Sequence, residues 1–344
     1  MNDALIRLAE SGRLPDPLLR LGIRRLLKKR LASLEHNGET TESFLHRLAD
    51  QPVAVQTDDA NQQHYEVPTR FFLKVLGPRL KYSSCIWPEG VDTLANAENA
   101  MLDLTCQRAQ LEDRMDILEL GCGWGSLTLW MAERFPNARI LAVSNSETQR
   151  AHIETQAVDR GCCNVQVHTC DVNDFDPGQT FDRIVSVEMF EHMRNPGALL
   201  ERAAGWLAPK GKLFLHVFTH NGAPYLFTDH GNADDWMSRH FFSGGMMPSP
   251  DLLPAAAAKS LDLEEEWVVN GRHYARTLEA WLQRQDAARD TLLPLFEKTR
   301  GPDGAAVAFQ RWRMFWMACS ELFNYRGGRE WPVHHYRFAR KEDE

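Results

Sequence analysis

Hydrophobic and polar positions fall into three regimes along the 344-residue chain. In the first 50 residues the spacing is helical. Leu19, Ile23, Leu26 and Leu27 recur at i, i+4, i+7 and i+8, with Arg20, Arg24, Arg25, Lys28, Lys29 and Arg30 between them. A basic amphipathic helix can rest on an anionic membrane surface. The expectation here is the plainer one, a surface helix packing its leucines on the core or on a second subunit. Residues 51–63 are polar and read as a linker.

From residue 116 short apolar runs alternate with helical ones. Strands are predicted at 116–120, 139–143, 165–169, 181–187 and 212–218. Helices are predicted at 127–135, 146–160 and about 196–207, with a turn at Pro209-Lys210-Gly211. This rhythm means βαβ units and a mostly parallel, doubly wound sheet. After Phe218 it breaks. Strand patterns return at 264–269 and 335–338, with helical stretches at about 277–298 and 304–323. Residues 219–260 and these helices are expected to cap the carboxyl edge of the sheet, where ligands bind in such folds.

Composition narrows the picture. With 43% hydrophobic and 25% charged residues the chain is globular, long enough for one large domain or two modest ones. A net charge of -8 excludes a nucleic-acid binder driven by phosphate attraction. The seven cysteines include adjacent Cys162 and Cys163 and no C-x-x-C, so neither a disulfide framework nor a metal site is expected. No apolar run reaches membrane-spanning length, and the first residues lack a secretory apolar stretch. A cytoplasmic location is the expectation.

The first strand ends in Gly121-Cys122-Gly123-Trp124-Gly125-Ser126. The dinucleotide fingerprint is G-x-G-x-x-G with an acid about 20 residues on. Here Ser126 takes the third glycine's place, and the second strand ends in Ser144-Asn145 without a carboxylate. Glu119 instead puts a carboxylate just before the glycines, which suits a cationic ligand without pyrophosphate. Asp171, ending the third strand, is placed to accept from an adenine amino group. S-adenosylmethionine meets both conditions.

Ile117 to Gly125 resembles motif I of class I S-adenosylmethionine-dependent methyltransferases. LGCGWG, Arg183-Ile184-Val185-Ser186 and Phe190-Glu191-His192 resemble the cyclopropane fatty acid synthase superfamily. So do Lys81-Tyr82-Ser83 and Thr93-Leu94, in the loop that closes over the cofactor. Glu188 to His192, Ala100 to Leu104, Glu321-Leu322-Phe323 and Glu330-Trp331 are most similar to the coclaurine N-methyltransferase group. The resemblance spans about residues 4–341. It implies a Rossmann-like α/β class I methyltransferase fold with a seven-stranded, mostly parallel sheet. Residues 1–63 would be an N-terminal helical extension and linker, and 64–344 the methyltransferase domain with its cap. A homodimer is compatible with such an extension. By position, the cofactor residues would be Tyr82, Ser83, Glu119, Gly121, Gly123, Ser144, Asn145, Gln149, Asp171, Val172 and Val187.

Two chemistries stay open. In the N-methyltransferase group, His192 would be the base, with Glu188 and Glu191 positioning a small-molecule ammonium. Helical spacing would put Glu188 on one side with Glu191 and His192, and two close carboxylates raise one another's pKa. In the cyclopropane synthases, which methylate the double bond of unsaturated phospholipid acyl chains, a bicarbonate serves as base. Glu191, His216 and Tyr274 match its ligands, but Ser84 stands in the slot of the family's cysteine. Glu188, Ser84 and Glu330-Trp331 favour the amine. Trp87, Phe190, Tyr225, Phe227, Trp236, Phe241, Phe242, Trp316 and Trp331 are candidate pocket aromatics, and 244–248 (GGMMP) reads as a pliable loop over the site.

Overall fold

Strand β1 (Asp116–Leu120) lies at the centre of a seven-stranded sheet in the computed structural model, which describes residues 3–55 and 69–341. The order is β3-β2-β1-β4-β5-β9-β8. β2 is Arg139–Ser144, β3 Val165–Thr169, β4 Phe181–Val187, β5 Leu207–Phe218, β8 Leu261–Val269 and β9 Val333–Arg340. β1 to β5 pair in parallel, and β9 runs antiparallel to both β5 and β8. A short separate ladder joins β6 (Tyr225–Leu226) to β7 (Met246–Met247). The central strands β1 and β2 are buried on both faces along all but their first residue, because helices cover both.

The helices are α1 (Asp3–Glu10), α2 (Asp16–Asn37), α3 (Thr41–Leu48), α4 (Thr69–Val75), α5 (Leu94–Arg108), α6 (Ser126–Arg134), α7 (Glu147–Asp159), α8 (Pro196–Gly205), α9 (Trp236–His240), α10 (Leu252–Ala257), α11 (Gly271–Ala287) and α12 (Arg289–Phe323). Local chemistry sets several ends. Thr93 and Ser146 cap α5 and α7 through their hydroxyls, and Asn195 caps α8 with Pro196 at its first position.

Three expectations are corrected. The turn at 209–211 is absorbed into β5, with Lys210 at φ 63° and a register shift against β4. The cap stretch expected at 277–298 is split: α11 starts earlier, at Gly271, and ends at Ala287, and α12 starts at Arg289, while the break expected before 304 falls at Gly301 (φ 71°, ψ 171°). Met246 and Met247 are not a pliable loop: they are buried and paired in β7. Part of the expected linker, 56–63, lies outside the described residues.

The N-terminal helices have no core of their own. Ile6, Ala9, Leu19 and Leu31 join the cluster formed by α4, α11 and α12. The basic face of α2 is partly spent on the protein itself. Arg20 binds Glu279 at 2.7 Å, and Arg24 binds Glu321 at 2.5 Å. Among the described residues, no helix is long and apolar enough to cross a membrane.

Candidate active site

The strand order reverses between β1 and β4, so their carboxyl ends open a crevice. A cavity of about 290 Å³ fills it. One end is the turn after β1. Gly121 has φ 80°, and a Cβ there would lie 2.7 Å from the Met189 side chain. Gly123 has φ 52° with nothing within 4 Å, which leaves the cavity open at that point.

All eleven residues expected at the cofactor line this cavity. Glu119 is buried and accepts from Thr128 Oγ1 at 2.5 Å; burial pushes its carboxyl up to about 8. Gln149, on α7, accepts from Ser144 Oγ at 2.6 Å. The Ser144 hydroxyl also takes the Ser146 N–H at 3.1 Å, so Ser144 braces the turn. The buried Gln149 Nε2 has no donor-to-acceptor partner among the described residues, a polar atom suited to a ligand. Asp171 Oδ1 accepts the backbone and side-chain N–H groups of Asn173 at 2.8 and 2.9 Å. Asn173 also grips Ala54 by both its N–H and C=O, at 3.1 Å each. Ala54 and Val55 thereby close the wall beside Asp171. Open glycine backbone, a buried carboxyl and an orphaned amide fit an adenosyl amino acid.

The other end of the cavity is built on Glu188. This residue follows β4 in the left-handed region (φ 48°), which side chains other than glycine rarely adopt. Its carboxylate takes three donors. Ser84 N–H reaches Oε1 at 2.8 Å, Tyr274 Oη reaches Oε2 at 2.5 Å, and His216 Nε2 lies 3.1 Å from Oε1. Burial raises the Glu188 pKa, opposed first by the charge of Lys81. Lys81, itself buried, donates to Ser83 Oγ at 2.6 Å and to Ser84 O at 2.8 Å. His192 lines the same end and stacks on Phe242 with ring centroids 6.0 Å apart. Burial lowers its pKa below the ordinary value.

This corrects the helical reading of Glu188, Glu191 and His192. The only helical turn there is a 3-10 turn, Phe190–His192, and Glu188 precedes it. Glu191 points away from the cavity. It is 1% exposed, and its Oε1 accepts the Phe218 N–H at 2.7 Å. Burial, then the nearby Glu188, pushes its pKa well above 4.5, and its contact to Phe218 makes it a strut between the turn and β5. His216 stands behind Glu188, outside the cavity lining.

The bicarbonate reading meets a direct obstacle. Its expected ligands are Glu191, His216 and Tyr274, with Ser84 in the slot of the cysteine. The Glu188 carboxylate already holds His216, Tyr274 and the Ser84 N–H, and Glu191 is turned onto the Phe218 N–H. The residues present therefore do not fit a bicarbonate.

Of the nine candidate aromatics, Phe227, Phe242 and Trp316 line the cavity. Trp87, Phe190, Tyr225, Trp236, Phe241 and Trp331 are buried packing elsewhere. Sequence reasoning missed Phe218, Trp281, Phe315 and Phe323 as lining residues. Their advance signal was membership of β5 or of the expected cap helices and, for Phe323, the resemblance carried by Glu321-Leu322-Phe323.

The family model of mycolic acid cyclopropane synthetase matches residues 54–328. The chain belongs to this family. Within it, the chain is 34% identical to (S)-coclaurine N-methyltransferase of Thalictrum flavum subsp. glaucum, over 98% of this chain and 95% of that one. It is 29% identical to cyclopropane-fatty-acyl-phospholipid synthase of Escherichia coli (strain K12), over 79% of this chain and 66% of that one. The crystal structure of coclaurine N-methyltransferase bound to N-methylheliamine and SAH superposes with a TM-score of 0.92. It is 33% identical, covering 97% of this chain and 98% of that one. The protein is an S-adenosylmethionine-dependent methyltransferase with the class I fold.

Proposed function

We propose that this family member N-methylates a small, flat, alkaloid-like or aromatic amine. The observation that carries the reading is the Glu188 carboxylate, fixed by three donors at the aromatic end of the cavity. A carboxylate there attracts a substrate ammonium, and aromatic walls favour the methylated cation. His192, neutral at pH 7, accepts the proton the amine must lose to expose its lone pair. Tyr274 and His216 hold Glu188 in place. The sulfonium cofactor supplies an electrophilic methyl group, and the cavity's two ends hold donor and amine in line. Glu119, Gln149, Asn145 and Asp171 would hold its polar groups.

Two expected results test this. In the first, the protein is incubated with methyl-labelled cofactor and either a tetrahydroisoquinoline amine panel or vesicles of unsaturated phospholipid. Label is expected in the amine. Label in lipid with a mass gain of one CH₂ would instead establish the cyclopropane reading.

The second concerns Glu119. With a pKa of about 8, it is protonated in the free protein at pH 6. A cationic ligand favours the ionised form, so binding releases a proton. Cofactor affinity should then rise by up to ~tenfold per pH unit from pH 6 and level off above about pH 8. Titration calorimetry in buffers of different ionisation enthalpy measures the released proton. Binding without proton release would remove Glu119 from the cation's contacts.

A further inference from the structure

Behind Glu188, buried polar groups continue through the sheet. His216 on β5 and His335 on β9 are direct partners across the antiparallel ladder. Their rings lie 4.4 Å apart, and both residues are fully buried. Arg108, at the end of α5, places Nη1 2.8 Å from His335 Nδ1. A guanidinium only donates, so His335 Nδ1 carries a lone pair and the ring proton sits on Nε2. On the other side, Glu188 accepts from Ser84 and Tyr274, which marks it as the ionised acceptor. His216 Nε2 therefore carries the proton it shares with Glu188. Burial holds both histidines well below their ordinary pKa, so both are neutral.

Two ring atoms are left over, His216 Nδ1 and His335 Nε2. Neither has a partner among the described residues. The first is an acceptor and the second a donor, on adjoining rings tilted by 32° to one another. Arg108 fits this arrangement. Its guanidinium lies 4.9 Å over the Trp267 ring and makes no ion pair among the described residues.

We propose that Arg108 and His335 are a positioning pair: the two rings turn so that His335 Nε2–H donates to His216 Nδ1, which orients His216 and fixes it as a hydrogen-bond donor to Glu188. The donor direction runs one way, from Arg108 through His335 and His216 to Glu188. Because a guanidinium takes up no proton, this arm is closed to proton traffic. The amine's proton leaves by His192 and the cavity instead. The inference rests on the proposed role of Glu188, but its first readout does not depend on substrate.

The test is nitrogen-15 histidine spectroscopy of the full chain, combined with kinetics on the amine. In the wild type, both His216 and His335 should show the Nε2–H tautomer. In Arg108→Met, His335 is expected to shift toward Nδ1–H. In His335→Phe, His216 Nδ1 is expected to move to the resonance of an unbonded lone pair. Both variants should lose roughly tenfold in kcat, the effect of one charge-assisted hydrogen bond, with amine KM and S-adenosylhomocysteine affinity near wild type. His335→Gln keeps an acceptor for Arg108 and a donor for His216, and should restore most of the rate. Unmoved nitrogen resonances in both variants would overturn the pairing. Moved resonances with unchanged kcat would overturn its role in turnover. An enzyme inactive on every amine would sink the function reading while the spectra still decide the pairing. Arg108 is half-buried at the edge, so its variant tests the idea even where His335→Phe fails to fold.

Discussion

Glu188→Gln is expected to keep cofactor affinity near wild type while kcat on the amine falls by about 10²–10³-fold, the range for loss of one preorganised electrostatic contact. Three donors converge on the Glu188 carboxylate. A glutamine offers them one acceptor oxygen and sets an NH₂ against the rest. It also removes the charge that draws the ammonium. Glu191→Gln is the matched comparison. Glu191 is buried, and its Oε1 accepts the Phe218 N–H, which an amide oxygen accepts equally well. Its kcat should stay close to wild type. Steady-state rates with labelled cofactor give both numbers. Equal losses in the two variants would restore the reading in which both carboxylates face the amine.

Gly271→Ala should give the largest loss of stability. Gly271 opens α11, and a Cβ there would lie 2.3 Å from Phe323 O and 2.5 Å from Trp331 O. Both are backbone atoms, so no side chain can swing aside to make room. The expected cost is about 3 kcal/mol or more, at the upper end of overpacking effects. It reaches the site as well, because α11 carries Tyr274, Leu278 and Trp281 into the cavity. Gly22, on α2, is the counter-case. Nothing lies within 4 Å of its added Cβ, and alanine there should gain about 0.4–1 kcal/mol by restricting the unfolded chain. Calorimetric melting of the two variants should move in opposite directions.

The fold was legible because periodicity is local. β3 and β4 begin and end where their apolar runs do, and the glycine turn falls at the crevice. The cofactor end was legible for a related reason. Its residues sit in βα turns, whose place in the fold follows from strand order. The substrate end was not. Glu188, Ser84, His216 and Tyr274 lie on four separate segments, and contacts between distant segments leave no period to read. The left-handed backbone at Glu188 broke the helical spacing that had joined it to Glu191 and His192. Nine aromatics looked equivalent in sequence, and only packing separated wall from core. The break at Gly301 was legible, because a glycine and a proline interrupt the helical pattern there. The break at Ala288 was not, because no such residue marks it.

The Glu188 carboxylate has one more consequence. An enzyme that draws its catalytic anion from solution works at a rate set by dissolved carbon dioxide, and it slows when the medium is purged. In the proposed site the anion is the Glu188 side chain, so its effective concentration is set by the fold. On that reading, turnover on the amine should be the same in carbon-dioxide-purged and bicarbonate-supplemented buffer.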